Sequence, residues 1–435
     1  MKRVAVLGGG YAGMAAAVTL ADAGLRVTVL EAGKVLGGRA RKVSLDGREL
    51  DNGQHLVIGG YRDLLAMMRR VGVDPDIAYL RTPLDLAVRP DFHLHCPDWP
   101  APWHLAAALA TVRGLALRER WALTRAVLAA RWSGWRLKTD CAVSAWLQMQ
   151  RQSVPLIERF WRPLTVAALN TPLELASTQV LFNVLRDSLG GSRDASDLLF
   201  PRVDFSALFP DAAAAHVVRH GGEIRLGSTV KQLTRRGDGW RINDDTTAFD
   251  GVVCALPPHR LGMALHRTLA DELGVDVAAL EAWDYQPIVT LYLEYHRASL
   301  PQPMVGLSGG LVQWVFDHAH THDVPNRIAV VLSARGAHSE LEREALERAV
   351  VLELDRAFGW GQPDWCRLIA EKRATFACAP GLTRPANATV AATLWLAGDF
   401  TAGDYPATLE GAVQSGQKAA RGIIAALQTQ DSRTT

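Results

Sequence analysis

The chain has 435 residues, 49% of them apolar, which is enough to bury a large core in two or three structural units. Its formal net charge of +2 lacks the strong basic field of a nucleic-acid-binding protein, so no nucleic acid is expected among its partners. Its five cysteines form no C-x-x-C pair and have no histidine at ligand spacing, which favours reduced thiols in a cytoplasmic protein over a metal site or disulfides.

The N-terminal segment carries the most informative motif. Between residues 4 and 30, an apolar run, a glycine turn, an alanine-rich helical stretch and a second apolar run follow one another. Gly8 permits a sharp turn, Gly10 permits the approach of a pyrophosphate, and Gly13 permits close packing of the helix on the sheet. Glu31 ends the second run and is placed to accept a hydrogen bond from a ribose hydroxyl. The segment therefore predicts a βαβ dinucleotide site.

A second glycine turn distinguishes between cofactors. Gly37, Gly38 and Arg39 follow the βαβ unit, where a simple NAD site would continue into the next helix. This turn, with the cation Arg39, could contact a part of the ligand beyond the one held by the first turn. The sequence therefore predicts FAD.

A polar segment follows the second turn. An expected hairpin over residues 42–51 delivers Asp51, Gly53, Gln54 and His55, which we expect beside the flavin ring. The alternative is an Asx turn with a histidine at the surface.

Residues 99–161 are rich in tryptophan and arginine. From residue 113 to 138 the chain carries seven cations and one acid, and five apolar residues recur at helical spacing: Leu117, Trp121, Leu128, Trp132 and Trp135. Such a helix can lie in the headgroup region of an anionic bilayer. The alternative is an amphipathic helix packed on its own domain. Since no stretch reaches 18 apolar residues, we expect a cytoplasmic protein, or one peripheral on the inner face of the cytoplasmic membrane.

The middle and end of the chain add further candidates. Three polar residues interrupt apolar sequence: Asn170, Arg186 and Asp187. This pattern suits an apolar substrate cavity with a few fixed polar groups. Near the C-terminus, an apolar strand enters Gly398 and Asp399, and Asp399 could accept a ribityl hydroxyl. A helix then begins near Leu409, after Thr408. Its small first-turn residues, Gly411 and Ala412, would let the helix dipole face the pyrimidine edge of a reduced flavin.

Several motifs together resemble the FAD-dependent amine oxidase and phytoene desaturase superfamily over the whole chain. Within it, DNGQHLVIGGYR, FWRPLTVAALNTP, LRDSLGGSRDASDLLFPRVDFSALFP and AGDFTAGDYPATLEGAVQSG are most similar to the hydroxysqualene dehydroxylase family of bacterial hopanoid biosynthesis. The resemblance implies that Val230 meets the adenine through its backbone. The residues expected to bind FAD are Gly8, Gly10, Ala12, Gly13, Glu31, Ala32, Gly37, Gly38, Arg39, Gly53, Gln54, Val230, Gly398, Asp399, Thr408, Leu409, Gly411 and Ala412.

The expected fold is α/β. A discontinuous, Rossmann-like FAD-binding domain of the glutathione reductase type would comprise residues 1–60, 212–256 and 390–428. A substrate-binding domain with a mixed sheet and helices would comprise residues 61–211 and 257–389, with its membrane-facing part at 99–161. Residues 429–435 are expected to form a disordered tail.

The resemblance implies reductive removal of the hydroxyl of hydroxysqualene to give squalene. This requires an acid that protonates the hydroxyl, hydride from reduced FAD and an electron donor not identifiable from sequence, and Asp51 or His55 is the candidate acid or orienting group. Oxidative desaturation of a polyprenoid stays open, as does a non-catalytic prenyl-binding protein. Amine oxidation is disfavoured because Thr408 replaces the usual aromatic residue and the strand at 288–295 contains no lysine.

Overall fold

The structure, a computed structural model, describes residues 1–237 and 239–434. Its strands, in chain order, are β1 (Arg3–Leu7), β2 (Arg26–Leu30), β3 (Lys42–Leu45), β4 (Arg48–Asp51), β5 (Val57–Ile58), β6 (Tyr79–Thr82), β7 (Asp85–Arg89), β8 (Phe92–His95), β9 (Leu198–Pro201), β10 (Glu223–Arg225), β11 (Leu233–Arg236), β12 (Gly239–Ile242), β13 (Gly251–Cys254), β14 (Tyr285–Glu294), β15 (Met304–Leu307), β16 (Trp314–Asp317), β17 (Arg327–Ser333), β18 (Trp365–Phe376) and β19 (Leu394–Leu396).

The α-helices of the same residues are α1 (Tyr11–Asp22), α2 (Arg62–Arg70), α3 (Pro75–Ala78), α4 (Trp103–Thr111), α5 (Leu117–Trp132), α6 (Val143–Met149), α7 (Val154–Leu156), α8 (Arg162–Leu169), α9 (Thr178–Leu189), α10 (Phe205–Leu208), α11 (Pro210–Arg219), α12 (Pro258–Leu273), α13 (Val277–Glu281), α14 (His318–Thr321), α15 (Arg343–Phe358) and α16 (Leu409–Thr434).

A parallel sheet with strand order β10-β2-β1-β13-β19 joins distant parts of the chain. Its strands come from the N-terminus, from the centre and from near the C-terminus. The central strands are buried on both faces, which is why they read as short, continuous apolar runs rather than alternating patterns. The carboxyl ends of β1 and β2 therefore lie side by side, where α/β sheets bind nucleotides.

The alanine-rich helix α1 lies between this sheet and α16. Small residues allow the two helices to approach closely: a Cβ added at Gly416 of α16 would lie only 2.1 Å from the carbonyl oxygen of Ala12. Their shared apolar core includes Met14, Leu20 and Ile423. The tight packing fixes the N-terminal end of α1 relative to the sheet.

A second, mixed sheet has the order β18-β14-β17-β16-β15-β7-β8 and is antiparallel except where β15 meets β7. Helices α4 to α9 form a separate helical part beside it. None of the helices among residues 1–237 and 239–434 combines the length and apolar character needed to cross a membrane.

The predicted disordered tail begins at a residue that the structure describes as helical. Helix α16 continues to Thr434, with the hydroxyl of Thr429 donating to the carbonyl of Ala425 and Leu427 still buried. The polar composition after residue 428 reflects a solvated extension of a helix anchored further back. Thr435 lies outside the described residues, and the predicted domain boundaries remain predictions.

Candidate functional site

The two predicted glycine turns touch. Gly10 and Gly37 form a parallel bridge, and the amide of Gly37 donates to the carbonyl of Gly9 over 2.9 Å. A Cβ at Gly13 would lie 1.9 Å from the carbonyl oxygen of Gly8, so the helix packs on the turn as closely as the motif predicts. Gly8 also has a φ of +107°, which a side chain would oppose.

The front of this turn is open, as a pyrophosphate site requires. A Cβ at Gly10 would meet only Gly38, with the nearest atom at 3.8 Å, so it would project into the space before α1. No side chain caps the N-terminus of α1 in the described structure, and its first-turn amides, including that of Ala12, point toward that space. These residues fit a bound dinucleotide phosphate.

Glu31 lies directly after β2 and has both carboxylate oxygens engaged. One oxygen accepts from the amide of Gly9 and the other from the amide of Gly33, each over 2.7 Å. The carboxylate thus braces the glycine turn in addition to the role that the sequence predicts. Each oxygen retains lone-pair capacity, so a ribose hydroxyl can still be bound.

The residues of the predicted adenine end lie near Glu31. The amide of Ser228 donates to the carbonyl of Glu31, so the chain approaching Val230 runs beside Glu31 and the exposed Ala32. Val230 itself is buried. A backbone contact from Val230 to adenine remains a prediction.

Arg39 and Asp399 form an ion pair with 2.6 Å between guanidinium nitrogen and carboxylate oxygen, although they lie 360 positions apart. Arg39 also donates to the carbonyl of Ala374 on β18. The sequence assigned both residues to FAD but did not predict their contact. One oxygen of Asp399 is therefore shared with Arg39 and the other is left for a ribityl hydroxyl.

A partly buried arginine that the sequence did not reveal holds the loop after Asp399. The guanidinium of Arg384 donates to the carbonyls of Asp399, Gly403 and Tyr405 over 2.6 to 3.0 Å. The fully buried amide of Asn387 donates to the carbonyl of Leu396 and to neighbouring hydroxyls, which fixes the preceding turn. The partners in these contacts are separated in the sequence, so no local pattern could have indicated them.

The C-terminal helix begins as predicted. The hydroxyl of Thr408 accepts from the amide of Gly411 over 3.1 Å and so caps α16, whose first residue is Leu409. Glu410 in the first turn accepts from two amides at the start of α2, and its burial raises the pKa of its carboxyl to about 7. Gly411 and the buried Ala412 add little bulk at this end, consistent with an approach to a ligand.

Asp51 and His55 meet at Phe205. The amide of Phe205 donates to Asp51 Oδ1 over 2.9 Å, and its ring contacts the imidazole of His55 edge-on at 4.8 Å. Burial raises the pKa of Asp51 to about 7, against the lowering effect of the Phe205 amide. Asp51 can therefore carry a proton near neutral pH, as a general acid must.

His55 is less suited to the acid role than Asp51. Burial, followed by the nearby charge of Arg39, lowers the pKa of its imidazole to about 4, which favours the neutral ring at pH 7. The acid and orienting roles of His55 both remain predictions. The alternative of a histidine at the protein surface is wrong, because the ring packs against Phe205.

The rest of the polar segment is tied to the second sheet. The amide of Gln54 donates to the hydroxyl of Thr290 over 3.4 Å, and its side-chain oxygen contacts the buried His318. A Cβ at Gly53 would lie 3.6 Å from the same hydroxyl. The segment therefore lies between the nucleotide sheet and the mixed sheet, where a reacting group could be held.

Asn170 has a structural role that the sequence interpretation missed. Its amide donates to Thr375 and its oxygen accepts from the amide of Ala334, which joins α8 to the mixed sheet. Its left-handed backbone, with φ of +46°, ends the helix. A contact of Asn170 with substrate remains a prediction.

Arg186 and Asp187 pair with each other over 2.6 Å. The hydroxyl of Tyr405 donates to Asp187 over 2.7 Å, and Arg186 reaches Asp404. The pair thus ties α9 to the loop that Arg384 holds. A contact of these two residues with substrate remains a prediction.

One cavity of about 120 Å³ lies between β9 and β15 and is lined by Thr82, Pro83, Asp85, His95, Leu198, Phe200, Gln302, Pro303 and Met304. Pockets for small molecules are larger, about 300 Å³ or more. A C30 chain at this place would require its walls to move apart.

Comparison with known proteins matches residues 11–424 to the family described as flavin containing amine oxidoreductase. A protein of Rhodopseudomonas palustris named hydroxysqualene dehydroxylase is 29% identical, with 98% of this chain and 99% of the relative covered. One of the same name from Sinorhizobium fredii is 28% identical, with 96% and 97% covered. The 15-cis-phytoene desaturase of Synechococcus elongatus is 25% identical, with 97% and 96% covered.

Solved structures share the fold. An oxidoreductase from Methanosarcina mazei superposes with a TM-score of 0.74 at 15% identity, covering 96% of this chain and 100% of its own. Cyclohexylamine oxidase from Brevibacterium oxydans gives 0.67 at 17% identity, covering 98% and 99%. The predicted fold class and the predicted flavin cofactor, FAD, are confirmed.

Proposed function

The chain belongs to the family of flavin-containing amine oxidoreductases, and on that premise we propose that it removes the hydroxyl group of hydroxysqualene reductively to give squalene. The observation that carries this proposal is the similarity, over nearly the full length of both chains, to relatives named hydroxysqualene dehydroxylase. The substrate is then a lipophilic isoprenoid of squalene and hopanoid biosynthesis.

The reaction breaks a C–O bond and forms a C–H bond. Protonation turns the allylic hydroxyl into water as the leaving group, and the carbon then accepts a hydride, so one proton and one hydride, which carries two electrons, balance the change. Reduced FAD, when bound, supplies hydride chemistry. Everything else is the work of protein side chains that position groups and exclude water.

In the proposal, different residues bind the cofactor and supply the proton. Gly10, Gly37 and Gly38 leave room for the pyrophosphate, while Arg39 and Asp399 hold the region between it and the polar segment. Asp51 holds the proton. Since its Oδ1 already accepts from the Phe205 amide, Oδ2 is the oxygen that would carry the proton toward the substrate hydroxyl.

The neutral His55 has a supporting role. An uncharged imidazole next to Phe205 does not compete with Asp51 for charge, and it can orient a hydroxyl as donor or acceptor. The burial that keeps His55 neutral also limits water, which could otherwise recapture an allylic cation.

The test is anaerobic incubation of photoreduced protein with hydroxysqualene. We expect squalene to form as the flavin is reoxidised, in one-to-one amounts. A more unsaturated product formed by the oxidised protein would instead support polyprenoid desaturation, the second candidate, which the relative named 15-cis-phytoene desaturase favours. Formation of neither product would contradict both.

Peripheral binding to an anionic membrane is part of the proposal, because substrate and product are lipids. Helix α5 buries Leu123, Ala126 and Ala130 against its own domain. Its opposite face is exposed and alternates cations with apolar side chains: Arg118, Trp121, Arg125, Leu128 and Trp132. Trp121 is 75% exposed and Trp132 is 84% exposed. Packing of an amphipathic helix on its own domain thus explains the buried face of α5 but gives no role to the exposed face.

The exposed face, which we call the α5 stripe, suits the headgroup region of a bilayer. Tryptophan places an apolar ring with a polar edge at that depth, and arginine reaches phosphate. Trp99 and Trp103 are also more than half exposed. Trp135, assigned to the same face by spacing, instead lies beyond the end of α5 and packs edge-on against Phe182, so that assignment is corrected.

Vesicle co-sedimentation tests the membrane proposal. Wild-type protein should bind anionic vesicles of phosphatidylcholine with phosphatidylglycerol. It should bind vesicles of pure phosphatidylcholine only weakly. The double variant Trp121→Ser, Trp132→Ser should bind the anionic vesicles about tenfold more weakly. The matched control is Val390→Ser, which changes another apolar residue that is 78% exposed. Equal binding by all three proteins would contradict a role for the α5 stripe.

A further inference from the structure

Three side chains with metal-binding chemistry meet at the far end of α1 from the nucleotide site. Asp22 is the last residue of α1, His216 lies on α11, and His220 follows α11 directly. One ligand atom from each lies within 4.8 Å of those from the other two. The two histidines are four positions apart, the spacing that places two ligands on one side of a helix.

The hydrogen bonds assign the ring nitrogens. His220 Nδ1 lies 2.8 Å from the carbonyl oxygen of His216, and a carbonyl can only accept, so Nδ1 carries the proton. Nε2 of the neutral ring then has a free lone pair. A metal-binding histidine usually donates its second nitrogen to a carbonyl or carboxylate in this way, which fixes the ring for coordination.

The other two ligands are already together. His216 Nε2 lies 2.8 Å from Asp22 Oδ1, and Asp22 Oδ2 accepts from Arg70 Nε over 2.8 Å. A divalent ion would replace the proton between His216 and Asp22, with the Arg70 contact holding the carboxylate in place. The side chains of Asp22 and His216 are only 19% and 10% exposed, which limits competition from water.

His220 provides both the entry path and the adjustment that binding requires. It is exposed, and its ring stacks on that of His216 with centroids 4.3 Å apart and 24° between the planes. Coordination through both rings requires the planes to open so that each lone pair points at one ion. Because the His220 side chain is exposed, its ring could rotate in this way while Asp22 and His216 stay in place.

We propose that Asp22, His216 and His220 form a three-ligand site for Zn²⁺, with water as the fourth ligand. Two imidazoles and one carboxylate are the nitrogen and oxygen ligands that this borderline ion prefers, at about 2.0 to 2.2 Å. The site would link α1, α11 and the end of α2, so the ion would stabilise the nucleotide-binding half of the protein. The inference does not depend on the proposed reaction.

Equilibrium dialysis of tag-free, FAD-loaded protein against ZnCl₂ tests the site. Wild-type protein should bind one Zn²⁺ per chain, and its melting temperature should rise with the ion. His220→Ala should bind Zn²⁺ about tenfold or more weakly and lose the thermal shift. Asp22→Asn should also weaken Zn²⁺ binding, while its side chain can still hydrogen-bond His216 and so keep the contact between α1 and α11. His296→Ala, a second exposed histidine, is the matched control and should bind like wild type.

Equal Zn²⁺ binding by wild type and His220→Ala would overturn the proposal, as would wild-type protein that binds none. The FAD content of every variant should stay that of wild type, which separates loss of the metal site from loss of the fold.

Discussion

At the scale of single residues, the glycine positions were predictable because each serves a short-range geometry. Gly8 and Gly13 meet within a turn of a few residues, so the local sequence encodes their contact. The Arg39–Asp399 pair was not predictable, because only the closure of the whole sheet brings its partners together. The same limit applies to the pKa of Asp51, which burial raises and the amide of Phe205, from another part of the chain, lowers.

Gly10→Ala should weaken FAD binding without unfolding the protein. Gly10 has a φ of −77°, which alanine tolerates, and its Cβ would meet no atom closer than 3.8 Å while filling the phosphate space. We expect the dissociation constant of FAD to rise about tenfold or more, and the unfolding free energy of the apoprotein to change by about 0.5 kcal/mol or less. Flavin fluorescence titration and urea unfolding measure the two quantities.

Gly13→Ala is the contrasting variant. Its Cβ would lie 1.9 Å from the carbonyl oxygen of Gly8, so the backbone must shift and the apoprotein itself should be destabilised. If Gly10→Ala bound FAD as tightly as wild type does, the space before α1 would not be the phosphate site.

Asp51→Asn should slow single-turnover conversion of hydroxysqualene by reduced protein about a hundredfold or more, the lower part of the range for loss of a general acid. Since the acid form is needed, the wild-type rate should fall as pH rises through about 7, the pKa of Asp51. The variant should lack this fall. A rapid-quench assay across pH 6 to 9, roughly the window around that pKa, measures both effects.

Stability gives the control for this variant. The pKa of Asp51 is raised from 3.8 to about 7 on folding, so the native state holds its proton longer than the unfolded chain does. This contribution to stability is present below the unfolded value and is lost as pH rises toward 7. Asparagine can still accept from the Phe205 amide, so Asp51→Asn should be as stable as wild type, or more stable, at pH 8. A destabilised variant with unchanged turnover per folded protein would contradict the acid role.

At the scale of elements, periodicity predicted what local sequence controls. The spacing of apolar residues predicted a helix at α5, and the small residues around Gly411 marked the start of α16. The spacing failed at Trp135, because α5 ends at Trp132 and a left-handed residue then redirects the chain. The loop from Asp399 to Tyr405 could not be predicted at all, since Arg384 shapes it through carbonyl groups that carry no sequence signal.

Arg384→Ala should loosen the loop between β19 and α16. The guanidinium is the shared donor for three carbonyls that would otherwise lack it, so we expect a loss of about 2 to 4 kcal/mol in unfolding free energy and reduced FAD retention. Arg384→Lys should recover only part of both, because one ammonium cannot match the spread of a guanidinium. Chemical denaturation and the flavin-to-protein absorbance ratio are the measurements.

An exposed arginine provides the comparison. Arg348 is 70% exposed on α15 and approaches Glu344 only to 3.9 Å. Arg348→Ala should change the unfolding free energy by about 0.5 kcal/mol or less. Equal effects at Arg348 and Arg384 would show that the carbonyl contacts do not hold the loop.

At the scale of the whole molecule, the sequence indicated that both chain ends contribute to one nucleotide site, because the glycine motif and the Gly398–Asp399 motif lie at opposite ends. The strand order β10-β2-β1-β13-β19 could not be predicted from any single strand, since each is a short apolar run that could pair with any other. Composition predicts a disordered tail at residues 429–435, whereas the structure describes α16 as extending to Thr434.

Truncation tests how far the nucleotide site depends on the C-terminal end of the chain. Val413, Ala420 and Ile423 of α16 are buried in the core shared with α1, and Leu427 is the last buried residue on α16 in that core. A chain ending at Gln428 keeps all of them, so its melting temperature and FAD content should match those of the full chain. A chain ending at Thr408 removes the helix, exposes the alanine face of α1 and loses the tertiary support of the first nucleotide motif. We expect it to be insoluble or to purify without flavin. If this shorter chain still bound FAD stoichiometrically, the N-terminal βαβ unit would be sufficient for the site, and the contribution of the distant chain end would be refuted.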